Sequence, residues 1–73
     1  MSSVKMLIGD YTRAVTEYHR TDPALINRRS YLAYRAASVA LALALRSPEY
    51  KPVWTERSKA WERRMQPYAE AIA

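Results

Sequence analysis

The sequence predicts an all-α protein, an irregular three-helix bundle with a long central helix. Apolar side chains recur three and four residues apart along the chain, the period of an amphipathic helix. Glycine occurs once, with no low-complexity tract and no internal repeat. Prolines stand at 23, 48, 52 and 67. Proline interrupts a helix in its interior and opens one at its first position, so these four residues divide the chain.

The first helix is read from Val4, Ile8, Tyr11, Val15 and Tyr18, spaced four, three, four and three apart to form one apolar stripe. Gly9 interrupts it at a cost of about 1 kcal/mol relative to Ala. The preferred reading is one helix over 3–20 that tolerates the glycine. The alternative is a shorter helix capped by Asp10, with 4–8 as an extended apolar arm. Asp22-Pro23 then has the grammar of a helix start, a capping side chain before proline. The second helix is expected over 23–46, about 36 Å at 1.5 Å per residue. Leu25, Ile26 and Leu32 are expected to face inward, with Arg28, Arg29 and Arg35 in water. Segment 36–45 is apolar on every side apart from Ser38, so burial by more than one neighbour is expected. Ala33, Ala37, Ala40 and Ala44 make a stripe that admits close approach of another helix.

Ser47-Pro48 repeats the helix-start grammar, with Glu49 favourably placed at the N-terminal end of the next element. A third helix is expected over 53–66, with Trp54, Trp61, Met65 and Tyr68 along one side. Glu56, Lys59 and Arg63 are spaced to pair along the other. Pro67 is expected to end or kink this helix, leaving 67–73 as a last turn or a frayed tail. The short link at 20–22 makes the first two helices antiparallel neighbours in a single domain spanning 1–73.

Seventy-three residues form a domain of marginal stability, the size at which a staple or a partner usually helps. There is no cysteine, so neither a disulfide nor a Cys-based zinc site can serve, and one histidine cannot build a metal site alone. No metal, cofactor or small-molecule substrate is expected. The opening residues lack the run of a signal peptide, and the longest apolar stretch is about half a membrane span. No membrane partner is expected, and the expected location is cytoplasmic. Lys and Arg number 12 against 7 acids, a net charge of +5, which favours nucleic acid or an acidic protein face. Nine of those cations are Arg, suited to bidentate phosphate or carboxylate contacts. Arg- and Ala-rich composition is also typical of a GC-rich genome.

Catalysis needs convergent groups, and here the seven carboxylates are spread along the chain. His19 sits near the end of the first helix, where a cation is favoured by the macrodipole. No phosphate loop or nucleophile motif is present, so the chain is read as a binding protein and not an enzyme. Three surfaces are candidates. Arg28, Arg29, Tyr31 and Arg35 combine cations with a flat ring, the needs of RNA or an acidic surface; ordinary packing of Tyr31 or of the nearby Tyr34 is the alternative. Arg57, Lys59, Arg63 and Arg64 form a secondary basic patch around the two Trp residues, which serve either as core or as a recognition helix. Val4, Lys5, Met6 and Ile8 form an apolar patch with one cation, suited to a protein–protein contact, or else an ordinary first turn in the core.

The length, the Arg- and Ala-rich helical character and the opening Ser3-Val4-Lys5-Met6-Leu7-Ile8-Gly9-Asp10-Tyr11 have a parallel. The whole chain resembles the RNA-polymerase-binding antitermination and transcription-inhibitor proteins of small lytic Xanthomonas phages. The resemblance implies a regulator that docks on the large subunits of host bacterial RNA polymerase, in the host cytoplasm. It implies inhibition of initiation and, beside nascent RNA at the exit channel, opposition to termination. The rivals are a small basic nucleic-acid-binding module, a phage-type inhibitor of another host complex, and a structural or antitoxin-like subunit that dimerises through its Ala and Leu face.

Overall fold

A computed structural model describes residues 3–73. Three α-helices, α1 (Val4–Arg20), α2 (Ile26–Arg46) and α3 (Lys51–Ile72), form the expected all-α three-helix bundle; one 3-10 turn, Pro48–Tyr50, precedes α3. The described residues contain no strand and no helix long and apolar enough to cross a membrane.

The first helix adopts the continuous reading. Ser3 caps it, its hydroxyl accepting from the Met6 N–H at 3.2 Å, and the helix runs through Gly9. A Cβ at Gly9 would meet nothing within 4 Å. Gly9→Ala is therefore expected to stabilise the fold by about 1 kcal/mol. In a domain this small, thermal denaturation should then show a midpoint higher by roughly 4–8 °C. An unchanged or lower midpoint would mean that the glycine serves something other than the helix.

The second helix starts later than Asp22-Pro23 suggests. The Asp22 carboxylate accepts from the Ala24 N–H at 2.9 Å, and the Asp22 carbonyl accepts from the Leu25 N–H at 2.9 Å. These bonds close a separate turn with proline second in it, an arrangement as natural for Asp-Pro as a helix start. Helical bonding begins only where the Leu25 carbonyl accepts from the Arg29 N–H at 3.0 Å. Leu25, expected inside, is exposed as a result.

The third helix is longer than 53–66 at both ends. It begins at Lys51 with Pro52 in its first turn and continues through Pro67 to Ile72, so 67–73 is not a frayed tail. Proline costs a helix interior one hydrogen bond and a clash with the preceding turn. Pro67 lies on the exposed side of α3, and the next residue, Tyr68, packs against the core. That anchorage carries the helix past the proline.

The core forms two clusters along α2. Leu7, Val39, Ala40, Leu43, Ala44 and Trp54 make one; Ala14, Tyr18, Leu32, Ala33, Ala36 and Trp61 make the other, with Tyr11 packed against both. Small residues on α2 let both other helices approach it, whereas no Cα of α1 lies within 8 Å of a Cα of α3. Aromatic rings fill the wider gap. Tyr11 stands edge-on to Trp54 with centroids 5.2 Å apart, and Tyr18 stands edge-on to Trp61 at 5.0 Å. The Trp61 indole N–H donates to the Tyr11 hydroxyl at 2.9 Å, and the Ser58 hydroxyl donates to the Ala37 carbonyl at 2.9 Å. The expected Ala stripe is thus largely correct, with Ala36 rather than Ala37 fully buried.

The expectation that 36–45 is buried all round is corrected. Leu41 is 51% exposed and Leu45 72% exposed. Two neighbours, α1 and α3, cover one side of α2, and its outward line has no third element to meet it.

Candidate functional site

The N-terminal patch is helical, and helical geometry divides it. Val4 packs half-buried on the first core cluster. Ile8, 42% exposed, shares a shallow hollow with Tyr50, Val53, Trp54 and Arg57 from the start of α3. Lys5 is exposed, three positions from Ile8 and so on a neighbouring row of the helix. Met6 is also exposed, but two positions from Ile8 places it on a different face. The predicted patch is therefore reduced geometrically to Lys5 and Ile8 on adjoining rows of α1. It gains Tyr50 and Val53, both exposed, which sequence reasoning missed. Nothing in the sequence announces their juxtaposition with Ile8, since more than forty positions separate them.

The Arg28, Arg29, Tyr31 and Arg35 surface is also divided. Arg28, Tyr31 and Arg35 line a groove of about 350 Å³ between α1 and α2, opposite Asp10, Arg13 and Glu17. Both acids are engaged, Asp10 with Arg13 and Glu17 with Arg28 at 2.9 Å. Arg35 has no ion-pair partner among the described residues. The groove is thus of mixed charge rather than a basic track.

Arg29 does not face water as expected. Its guanidinium lies over the Tyr18 ring, 4.5 Å from the centroid, and donates to the Thr21 carbonyl at 3.0 Å and the Tyr68 hydroxyl at 3.1 Å. Arg29 thereby ties the α1–α2 link to the C-terminal part of α3. Hydrogen bonds from Tyr18 and Arg29 hold the Tyr68 phenol below its ordinary range, whereas burial first, then the Tyr68 neighbour, pushes the Tyr18 phenol up. Removing the guanidinium with Arg29→Ala should loosen residues 68–72. Faster amide hydrogen exchange there, with residues 54–61 unchanged, is the expected result; uniform protection would show that Tyr68 holds α3 without it.

The secondary basic patch separates by face. Arg57 lies over the Trp54 ring at 4.7 Å and lines the hollow beside Ile8, and Arg64 lies over the Trp61 ring at 4.6 Å. Arg63 pairs with Glu56 at 3.7 Å on the exposed side, where Lys59 also lies. Both Trp rings are core residues, and α3 is docked rather than detached. His19 stands edge-on to Trp61 with centroids 6.1 Å apart. Among the described residues no three of His, Asp and Glu converge as metal ligands would.

The geometry defines a helical bundle with an apolar hollow that Arg57 lines at one end and a mixed-charge groove along one side. Comparison with family models, curated proteins and solved structures gives no match.

Proposed function

We propose that this protein is a transcription regulator that binds bacterial RNA polymerase, inhibits initiation and opposes termination. The observation that carries the reading is the hollow at Ile8, Tyr50 and Val53, lined also by Arg57, with the exposed Lys5 three positions before Ile8 on the adjoining row of α1. Exposed aliphatic and aromatic groups flanked by cations suit an acidic protein surface that carries an apolar anchor point. A net charge of +5 would speed encounter with such a surface. The resemblance of residues 3–11 and of the whole chain to polymerase-binding phage proteins supplies the identity of the partner. The large subunits are its proposed docking site.

The test uses purified bacterial RNA polymerase holoenzyme and the full chain. Binding should be saturable, promoter-dependent initiation should fall, and read-through at an intrinsic terminator should rise. Lys5→Glu should weaken binding by roughly tenfold, since a rim charge on the docking face is reversed, with helix content unchanged. Absence of binding to the holoenzyme would sink the proposal. The nucleic-acid-binding reading draws on the exposed Tyr31 and on Arg35, which has no ion-pair partner among the described residues. It predicts tight binding of RNA or DNA by the free protein with steep salt dependence. The polymerase reading predicts only weak, unspecific binding of that kind.

A further inference from the structure

We infer that the outward face of α2 is a self-association surface on which a second copy of this chain docks with its α2 parallel. This inference rests on that face alone and is independent of the polymerase reading.

Tyr31, Tyr34, Ser38, Leu41 and Leu45 succeed one another at spacings of three, four, three and four. That is the seam of a two-stranded coiled coil, with Tyr31, Ser38 and Leu45 in one heptad position and Tyr34 and Leu41 in the other. The two tyrosines and two leucines are all exposed. A scattered exposed leucine is ordinary on a protein surface, but four large apolar residues in line along one helix, interrupted only by the small Ser38, make a contact surface in search of a partner. A chain of this size also gains stability from association.

Charge selects the partner and its direction. The line runs between two unlike edges. On the α1 side lies the groove with Arg28 and Arg35. On the α3 side lies a hollow of about 180 Å³ lined by Tyr34, Ser38, Leu41, Ser58, Glu62 and Met65. Arg28 is neutralised by Glu17, whereas Arg35 and Glu62 have no ion-pair partner among the described residues. A two-fold axis along α2 sets the α1 edge of one copy against the α3 edge of the other. Glu62 shares its hollow with Tyr34 and Ser38, which bracket Arg35 along α2. Rotation about an axis parallel to the helix keeps that level, so Arg35 meets Glu62 of the second copy twice. A two-fold axis across α2 would instead make the helices antiparallel and set the Arg35 edge against itself. Self-complementarity of this kind is what an isologous dimer requires.

The Cα trace measures 37 × 18 × 18 Å, so one helix face of so small a bundle supplies an interface at the lower end of specific ones. The expected dimer is therefore weak, with a dissociation constant on the order of tens of micromolar. The gap between α1 and α3, with the Ile8 and Val53 hollow, lies on the opposite side and stays open.

Sedimentation equilibrium of the full chain from about 1 µM to 1 mM spans that range and tests the proposal. The mean mass should rise from monomer to dimer. Leu41→Glu, at an exposed position that leaves the fold intact, should raise the dissociation constant by more than about tenfold. Leu45→Glu provides the same test at the end of the seam. Arg35→Glu alone and Glu62→Arg alone should each weaken the dimer by roughly fivefold, and the double variant should restore it. Monomer mass at every concentration would overturn the proposal and leave the face to a different protein. A dimer indifferent to Leu41→Glu, or a charge swap without restoration, would overturn it as well.

Discussion

Trp61→Ala is expected to leave the chain largely unfolded at room temperature. Removing a buried Trp costs about 3–5 kcal/mol in a core that cannot collapse onto the space. Trp61 also donates to the Tyr11 hydroxyl, stands edge-on to Tyr18 and spans a gap that no backbone contact closes. A domain of 73 residues has a total stability of about 4–11 kcal/mol, and a short single core sits toward the lower end. Far-ultraviolet circular dichroism of the variant should therefore show little helix and no cooperative thermal transition. Arg64→Ala is the contrast. It removes only the cation over the outer face of the same ring, at a cost of under about 1 kcal/mol, and should stay folded. A cooperatively folded Trp61→Ala protein would show that α2 contacts alone hold the bundle, with the aromatic bridge as filling.

The fold class was legible because periodicity, one tolerated glycine and the breaks marked by Pro23 and by Pro48 with Pro52 agree on three helices. The finer phase was less so. Of the stripe Val4, Ile8, Tyr11, Val15 and Tyr18, only Tyr18 is among the residues that α1 buries most deeply; the other two, Leu7 and Ala14, lie one row away. Helix α1 packs against α2 with small and aliphatic residues and turns its rings toward α3, so its apolar arc is wider than one stripe. Ile8 falls at the edge of that arc and is left exposed. The end of α3 was illegible for a different reason. Proline is a local signal to stop, and the group that overrides it, Tyr68, draws its support from Tyr18 and Arg29, 50 and 39 residues away in sequence. The same long-range contact turns Arg29 inward, although its neighbours Arg28 and Arg35 stay at the surface as the helical period suggests.

The contrast between Ile8 and Met6 gives the second large effect. On the proposed polymerase reading, Ile8→Asp and Val53→Asp are each expected to weaken binding to the holoenzyme by roughly 100-fold, the size of effect seen when an anchor residue at the centre of an interface is lost. Both residues are already more than two-fifths exposed, at 42% and 46%, so helix content and thermal midpoint should change little. They line one hollow, so the double variant should lose less than the product of the two single effects. Met6→Asp, on another face of the same turn, should weaken binding by less than about fivefold, as rim substitutions do. Titration of the holoenzyme with each variant separates the possibilities. If Met6→Asp were the more damaging substitution, docking would run through the α1–α2 side, where Arg35 and Tyr31 lie, and the hollow at Ile8 would have no part in it. If all three bound normally, the physical argument for the hollow as the docking site would be lost.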